Sequence, residues 1–340
     1  MKVTENSTYR LMQTNLDRIT NRLQDLRYQG ATGLKLNKSS DDPSAIRPVL
    51  TTRTQLSKNE RYLETMGVSL DKMQATDSHM ASVESLLERA KEIAINAVNG
   101  ALSDADMDTL ADELAEIQDE MLDSANAVID GKYIFAGYSE TTKPFELNPS
   151  YDPTLYDETN STTWPYLYHG DANPTELEIT PGEQLQVNLT GNEFFLGVSN
   201  QYWNDATTAA GGPAPAGTPP EPGAVDLFSV LQRTEEAIRA GNIDDPLLAG
   251  GGIQDNIEKL EMAADQERRL RSRMGVRAER VDSAIKHQEE VNVDLQEILS
   301  RYQDADVIET FNEIIKQETA FQAALSITSK VKDISILKYF

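Results

Sequence analysis

The chain has 340 residues, 56 acidic side chains against 31 Lys and Arg, and a formal net charge of −25. That balance argues against a nucleic-acid-binding surface, which needs clustered Lys and Arg. The absence of cysteine excludes disulfide and thiol chemistry, and no apolar run approaches the length of a membrane span.

At this length two or three domains are expected. Residues 1–40 depart from the acidic average: Lys2, Arg10, Arg18, Arg22, Arg27, Lys35 and Lys38 outnumber Glu5, Asp17 and Asp25. The same charges interrupt any secretory h-region, so a protein that leaves the cell would do so without a cleaved signal peptide. Tyr9, Met12, Leu16, Ile19, Leu23 and Leu26 step three, four, three, four, three, the spacing of a helix with one apolar stripe. Burying those six would contribute on the order of 10 kcal/mol gross, before ordering and association costs. Gly30 and Gly33 mark the end of this helix. Asp41 and Asp42 before Pro43 read as a turn into the next helix rather than a metal site, because no further ligands cluster nearby.

Leu63, Met66, Leu70, Met73, Met80, Val83, Leu87 and Ala90 hold heptad spacing in a long helix that stops at Asn99-Gly100. Ser103 is the expected N-cap of the next helix, with Asp104 and Asp106 behind it. Met107, Leu110, Leu114, Ile117, Met121 and Val128 form its stripe, and the short link implies an antiparallel neighbour. Methionine stripes can mark adaptable binding surfaces; at heptad positions, core filling is the better reading.

From Asp130 the period changes. Asp130-Gly131 before Lys-Tyr-Ile-Phe-Ala-Gly137 joins a turn signal to a β-prone run. Trp164–Tyr168, Glu176–Ile179 and Gln184–Leu189 are strand-like, punctuated by Pro181-Gly182 and Thr190-Gly191. A small β-rich domain inserted into a helical rod follows, with 209–223, rich in Pro, Gly and Ala, as a linker. Helix returns at Val225 and ends near Gly241. Ala249-Gly-Gly-Gly252, lacking the Lys-Ser/Thr of a phosphate loop, reads as a hinge. The run from Ile253 to Tyr302 would span roughly 75 Å as one helix. Val281, Ala284, Val291, Leu295 and Ile298 line one face, and Gly275 interrupts it, for which close packing is the expected reason.

The last forty residues answer the first helix. Val307, Phe311, Ile314, Phe321 and Leu325 follow a heptad seam, weakened at Glu318, that drifts to Val331, Ile334 and Leu337. Two amphipathic helices therefore sit at opposite ends of the chain without a local partner. Periodicity leaves two arrangements open: an intramolecular pair closing a bundle, or an intermolecular coiled coil.

Chemistry-bearing motifs are missing. Histidines occur only at 79, 169 and 287, outside any ligand motif, and there is no nucleophile elbow or dinucleotide fingerprint. No catalytic, metal-binding or cofactor-binding residues are assigned, no cofactor is expected, and the chain does not read as an enzyme.

The sequence resembles the bacterial flagellin-like axial proteins. The resemblance rests on the N-terminal heptad helix and Gly33-Leu-Lys-Leu-Asn-Lys-Ser-Ser-Asp-Asp-Pro-Ser44. It extends through Gly131-Lys-Tyr-Ile-Phe-Ala-Gly137 with Pro144-Phe145, and Tyr168-His-Gly-Asp171. It ends on Arg271-Ser-Arg-Met-Gly-Val-Arg277, Phe321-Gln-Ala-Ala-Leu325 and Ser335-Ile-Leu-Lys-Tyr-Phe340. The Tyr-Ile-Phe-Ala-Gly block with the later Gly-Asp favours the hook–filament junction branch over filament flagellin. Pro43 stands where flagellins usually continue with Ala-Gly, and Ile336 where Leu is usual.

The resemblance implies a mainly α, elongated antiparallel bundle of coiled-coil-like helices with an inserted small β-rich domain. Residues 1–40 and 301–340 would form the inner assembly domain, 41–144 and 225–300 the helical rod, and 145–224 the outer insert. The implied function is a structural junction between hook and filament, with filament flagellin, or an enzyme domain on a helical stalk, as alternatives. Implied partners are a hook-side hook-associated protein, flagellin, further copies in a ring and an export chaperone, but neither nucleic acid nor membrane. Type III export would place the protein outside the cell, in the flagellum. The two terminal stripes are the expected assembly interface.

Overall fold

The computed structural model describes residues 2–38, 42–99, 102–204, 220–243 and 251–337, without the side chains of 2–6, 8, 99 and 331–337. Asp41, Gly100, most of the 209–223 linker and Ala249-Gly250 fall outside the described residues. The chain divides into two compact units: residues 1–61 with 288–340, and residues 62–287. The boundaries expected at 40/41 and 300/301 lie inside the first unit, and those at 144/145 and 224/225 inside the second.

The first unit holds α1 (Lys2–Thr32), the start of α2 (Pro43–Asn99), the end of α6 (Ile253–Gln303) and α7 (Val307–Leu337). Gly33, at φ +70°, closes α1 by donating its N–H to Gln29 O at 2.8 Å, a left-handed cap that a side chain would strain. The loop after it pairs with the α6–α7 turn: Leu34 bridges Asp304, Lys35 N donates to Gln303 O at 2.7 Å, and Ala305 N donates to Gly33 O at 2.8 Å. Asp42 caps α2 by accepting from Ser44 N and Ala45 N, and Asp306 caps α7 by accepting from Ile308 N and Glu309 N. The buried Asn59 donates Nδ2–H to Gln288 O at 2.7 Å, tying α2 to α6.

In the second unit the remainder of α2 runs antiparallel to α3 (Asp104–Ala125), with the Arg89 guanidinium on Glu113 at 2.7 Å. Ser103 forms a reciprocal capping box with Asp106. The expected α3 stripe is buried at Leu114, Ile117 and Met121, but Val128 lies past the helix in β1 and is half exposed. The backbone leaves helix at Asn126, so the heptad count ends there. Helix α6 crosses α2 antiparallel: Arg271 reaches Asp77 at 2.9 Å and Glu84 at 2.7 Å, and Lys91 reaches Glu261 at 3.4 Å. Gly275 does not interrupt α6, and a Cβ there would meet nothing within 4 Å. Close packing therefore does not explain it. Ile298, expected on the buried face, is exposed.

The β-prone stretch forms three separate antiparallel hairpins: β1 (Val128–Ile129) with β2 (Lys132–Tyr133), β3 (Phe145–Leu147) with β4 (Tyr166–Tyr168), and β5 (Glu176–Thr180) with β6 (Glu183–Gln186). Asp130 and Gly131 take φ +52° and +76°, the mirror-image turn that suits strand twist. The hairpins are held by aromatic packing rather than by a shared sheet. Phe135, Phe145, Phe195 and Phe228 meet at centroid distances of 5.1–5.5 Å, with Phe195 just past the short α4 (Gly191–Phe194) and Phe228 on α5 (Leu227–Arg239). The Tyr168-His-Gly-Asp171 motif locks this core. Asp171 accepts from Tyr138 N and Ser139 Oγ, and a Cβ on Gly137 would collide with Asp171. The arginine-rich stretch of α6 clamps the same region, Arg273 on Glu193 at 2.6 Å and Arg277 on Gln186 Oε1 at 3.0 Å.

Candidate assembly interface

The terminal helices pair within one chain. Arg27 meets Glu318 at 2.7 Å, and Gly30 backs against Thr310 and Ile314, so α1 and α7 are antiparallel. Within one copy the two helices thus form the first of the two arrangements that periodicity leaves open. Glu318, which breaks the apolar seam, is used in that ion pair. Both ends are well exposed, so the pair contributes about 0–1 kcal/mol.

The expected stripes divide by depth. On α1, Leu23 and Leu26 are buried, Met12, Leu16 and Ile19 are half-buried, and Tyr9 is exposed. On α7, Ile314 and Phe321 are half-buried, whereas Val307, Phe311 and Leu325 are 49%, 53% and 46% exposed. The backbone of α7 reaches Leu337, but the side chains of Val331, Ile334 and Leu337 lie outside the described residues.

Helical geometry explains the split. With about 100° per residue, the sheltered face of α7 centres on Thr310, Ile314, Gln317, Phe321, Ala324 and Thr328, with Glu313 and Glu318 partly covered at its edges, and most of these side chains are small or polar. The large apolar residues Val307, Ile308, Phe311, Ile315 and Leu325 form a second stripe roughly 100° away, and all five are exposed. Reading the heptad from the largest residues set the seam between these two faces. It missed Ile308 and Ile315, at 77% and 61% exposure, as well as Leu11 and Tyr28 on α1. A three- and four-residue count through Ile308, Phe311 and Ile315 would have found the second face. A helix with one face covered and its largest apolar residues on another presents that second face to solvent or to a partner.

Charge along α7 is largely self-compensated. The Lys316 ammonium, 2.8 Å from Glu313, holds that carboxyl below its usual range through their hydrogen bond and is itself held up by it. Among the described residues no group of three or more His, Cys, Asp or Glu could hold a metal ion, and no helix is long and apolar enough to cross a membrane. His169 stands 3.7 Å from the Glu146 carboxylate at the β3–β4 edge, with no nucleophile in that pairing.

Comparison with known proteins places these helices. Residues 3–140 match the bacterial flagellin N-terminal helical region and residues 257–340 the bacterial flagellin C-terminal helical region. The chain belongs to the flagellin-like family of flagellar axial proteins. Within it, the chain is similar to flagellar hook-associated protein 3 of Escherichia coli (strain K12), at 24% identity over 98% of each chain. It is 22% identical to the flagellar filament 41 kDa core protein of Borreliella burgdorferi over 68% of this chain and 74% of that one. The crystal structure of flagellar hook associated protein-3 from Legionella pneumophila shares the fold, with a TM-score of 0.55 at 18% identity over 78% of this chain and 99% of that one.

Proposed function

We propose that this protein is a structural component of the bacterial flagellum, joining hook to filament by axial packing of its terminal helices against neighbouring subunits. The observation that carries this reading is the uncovered apolar stripe on α7, Ile308, Phe311 and Ile315, beside a stripe already engaged by α1. The first face completes the subunit and the second joins subunits, with Tyr9, Val307 and Leu325 on the contact. Similarity to a hook-associated protein over nearly the whole chain, against partial coverage of a filament core protein, supports the junction over the filament.

In this reading residues 1–40 and 301–340 are the inner assembly arms, 41–144 and 225–300 the rod, and 145–224 the outer insert. The neighbours are a hook-side hook-associated protein, flagellin and further copies in a ring. Export runs through the flagellar type III apparatus without a cleaved signal, with a chaperone holding a terminal helix. The role is structural and not enzymatic.

Charged substitution of the outward stripe tests the assignment. Phe311→Asp with Ile315→Asp should leave the monomer's circular dichroism and melting temperature nearly unchanged, because both positions are exposed. The same variant should fail to restore motility to cells lacking the wild-type chain, and flagellin should escape into the medium instead of building filaments. Normal filaments on the hooks of such cells would overturn the reading. Spontaneous growth of long filaments from the purified wild-type chain would favour a filament flagellin instead.

A further inference from the structure

The opening turns of α2 carry a basic face that the described residues leave uncovered. From Pro43 to Asn59 the helix has three cations, Arg47, Arg53 and Lys58, and no carboxylate. All three are exposed, and none makes an ion pair among the described residues. Arg47 and Lys58 are eleven residues apart, which returns them to one face about 17 Å further along the helix. Leu50, on the same side, is 55% exposed.

The opposite charge stands on α3. Its outer face carries Asp112, Glu116, Asp119, Glu120 and Asp123. Asp112 is paired with Arg239. The other four are exposed and make no ion pair among the described residues. Glu116 and Glu120 stand four residues apart, as do Asp119 and Asp123, a spacing at which like charges repel and weaken a helix. A cationic surface brought from outside relieves that repulsion. Asp112 and Asp123 also repeat the eleven-residue interval of Arg47 and Lys58, so the two faces match in length as well as in sign.

Charge balance selects the occupant. The first unit holds 16 Lys and Arg against 16 carboxylates, and the second 15 against 40. The whole net charge of −25 therefore sits on the second unit. Two second units repel each other, whereas a first unit meets a second unit without net repulsion. We propose that the Pro43–Asn59 face of one copy docks on the α3 face of a second copy. The contact is head-to-tail, the kind that closes into a ring or continues as a helix. It rests on the reading above only in that copies of the chain meet in the flagellum.

The chain has no cysteine, so introduced thiols report the contact directly. Thr54→Cys lies near the centre of the α2 face, and Glu116→Cys and Asp119→Cys near the centre of the α3 face, which covers either relative direction of the helices. A Thr54→Cys chain is co-expressed with one or the other α3 variant in cells lacking the wild-type chain, and isolated flagella are treated with a short bismaleimide. Cross-linked dimers are expected from at least one mixture and from no variant alone. Motile cells whose flagella give no dimer in either mixture would overturn the contact while leaving the flagellar reading in place. Dimers from the Thr54→Cys chain alone would set two α2 faces together and would overturn it equally. As a second readout, Arg47→Glu with Lys58→Glu should abolish motility with circular dichroism unchanged. Adding Glu116→Lys and Glu120→Lys to the same chain should restore it. Full motility of the Arg47→Glu, Lys58→Glu chain would overturn the proposal.

Discussion

Glu267 on α6 is fully buried, and neither of its carboxylate oxygens has a hydrogen-bond partner. Burial pushes its carboxyl up to about 7, with Glu84 and Asp77 of α2 adding to the rise and Arg271 and Arg268 on its own helix opposing it. Arg271 gives only partial relief because it is already bonded to Asp77 and Glu84. In the unfolded chain the group returns to its ordinary 4.5. Between those values the folded state holds a proton that the unfolded state has lost. The stability tied to the neutral acid is therefore fully present below pH 4.5 and is lost as pH rises through 7. About 3 kcal/mol is at stake across that window. Glu267→Gln should be indistinguishable from wild type near pH 4.5 and more stable at pH 8, as measured by urea unfolding at both values. Two variants whose stabilities stay parallel across the range would show that Glu267 is solvated or paired in solution.

Legibility at this scale follows from where each residue finds its partner. Ser103 and Asp106 reach each other three residues apart, so the box can be read from the chain itself. Glu267 meets Glu84 only after α2 and α6 pack, and nothing in its neighbours along the chain marks it as buried.

Among the elements, α3 carries nine carboxylates and no Lys or Arg, so its stability leans on its cap and on cations supplied by others. Arg89 of α2 pairs with Glu113, and Arg239 of α5 pairs with Asp112 at 2.9 Å. The Ser103 side chain accepts from Asp106 N, while Asp106 accepts from the Ser103 backbone. Ser103→Ala should cost about 1 kcal/mol, whereas Ser103→Asp, which can still cap, should cost less. Chemical denaturation of both variants measures this, and equal stability of Ser103→Ala and wild type would count against the box. The long helices were legible because their heptads run through Met66, Met73, Met80 and Leu87, all of which are buried. The β-rich part was legible as turns and short strands but not as a layer. Alternation along three to five residues cannot say which hairpins share a sheet, and among the described residues none do. Helix α7 misled through its chemistry: beside Ile314 and Phe321 its sheltered face uses Thr310, Ala324 and Thr328, while Val307, Ile308, Phe311, Ile315 and Leu325 face outward.

At the scale of the whole molecule, the first and last segments depend on each other, while residues 62–287 carry their own core. That core runs from Met66 and Met80 through the phenylalanine cluster to Leu260 and Val281. Among the described residues, none beyond 300 belongs to it. By contrast, α1 packs on α7, and an amphipathic helix without its partner is marginal in water. Deleting residues 301–340 should therefore leave a cooperative melting transition from the second unit and abolish assembly. The same deletion should make α1 an early target of limited proteolysis, because cleavage follows local opening. In the intact monomer α1 and α7 cover each other on one face only. Both should be cut before the core, though more slowly than α1 alone in the deleted chain. Mass spectrometry of the fragments over time distinguishes the cases. Termini of the intact chain as resistant as the core would mean that the α1–α7 pair is complete in the monomer and that the outward stripe adds to assembly without ordering it. A deleted chain that still rebuilds junctions would remove α7 from the mechanism altogether.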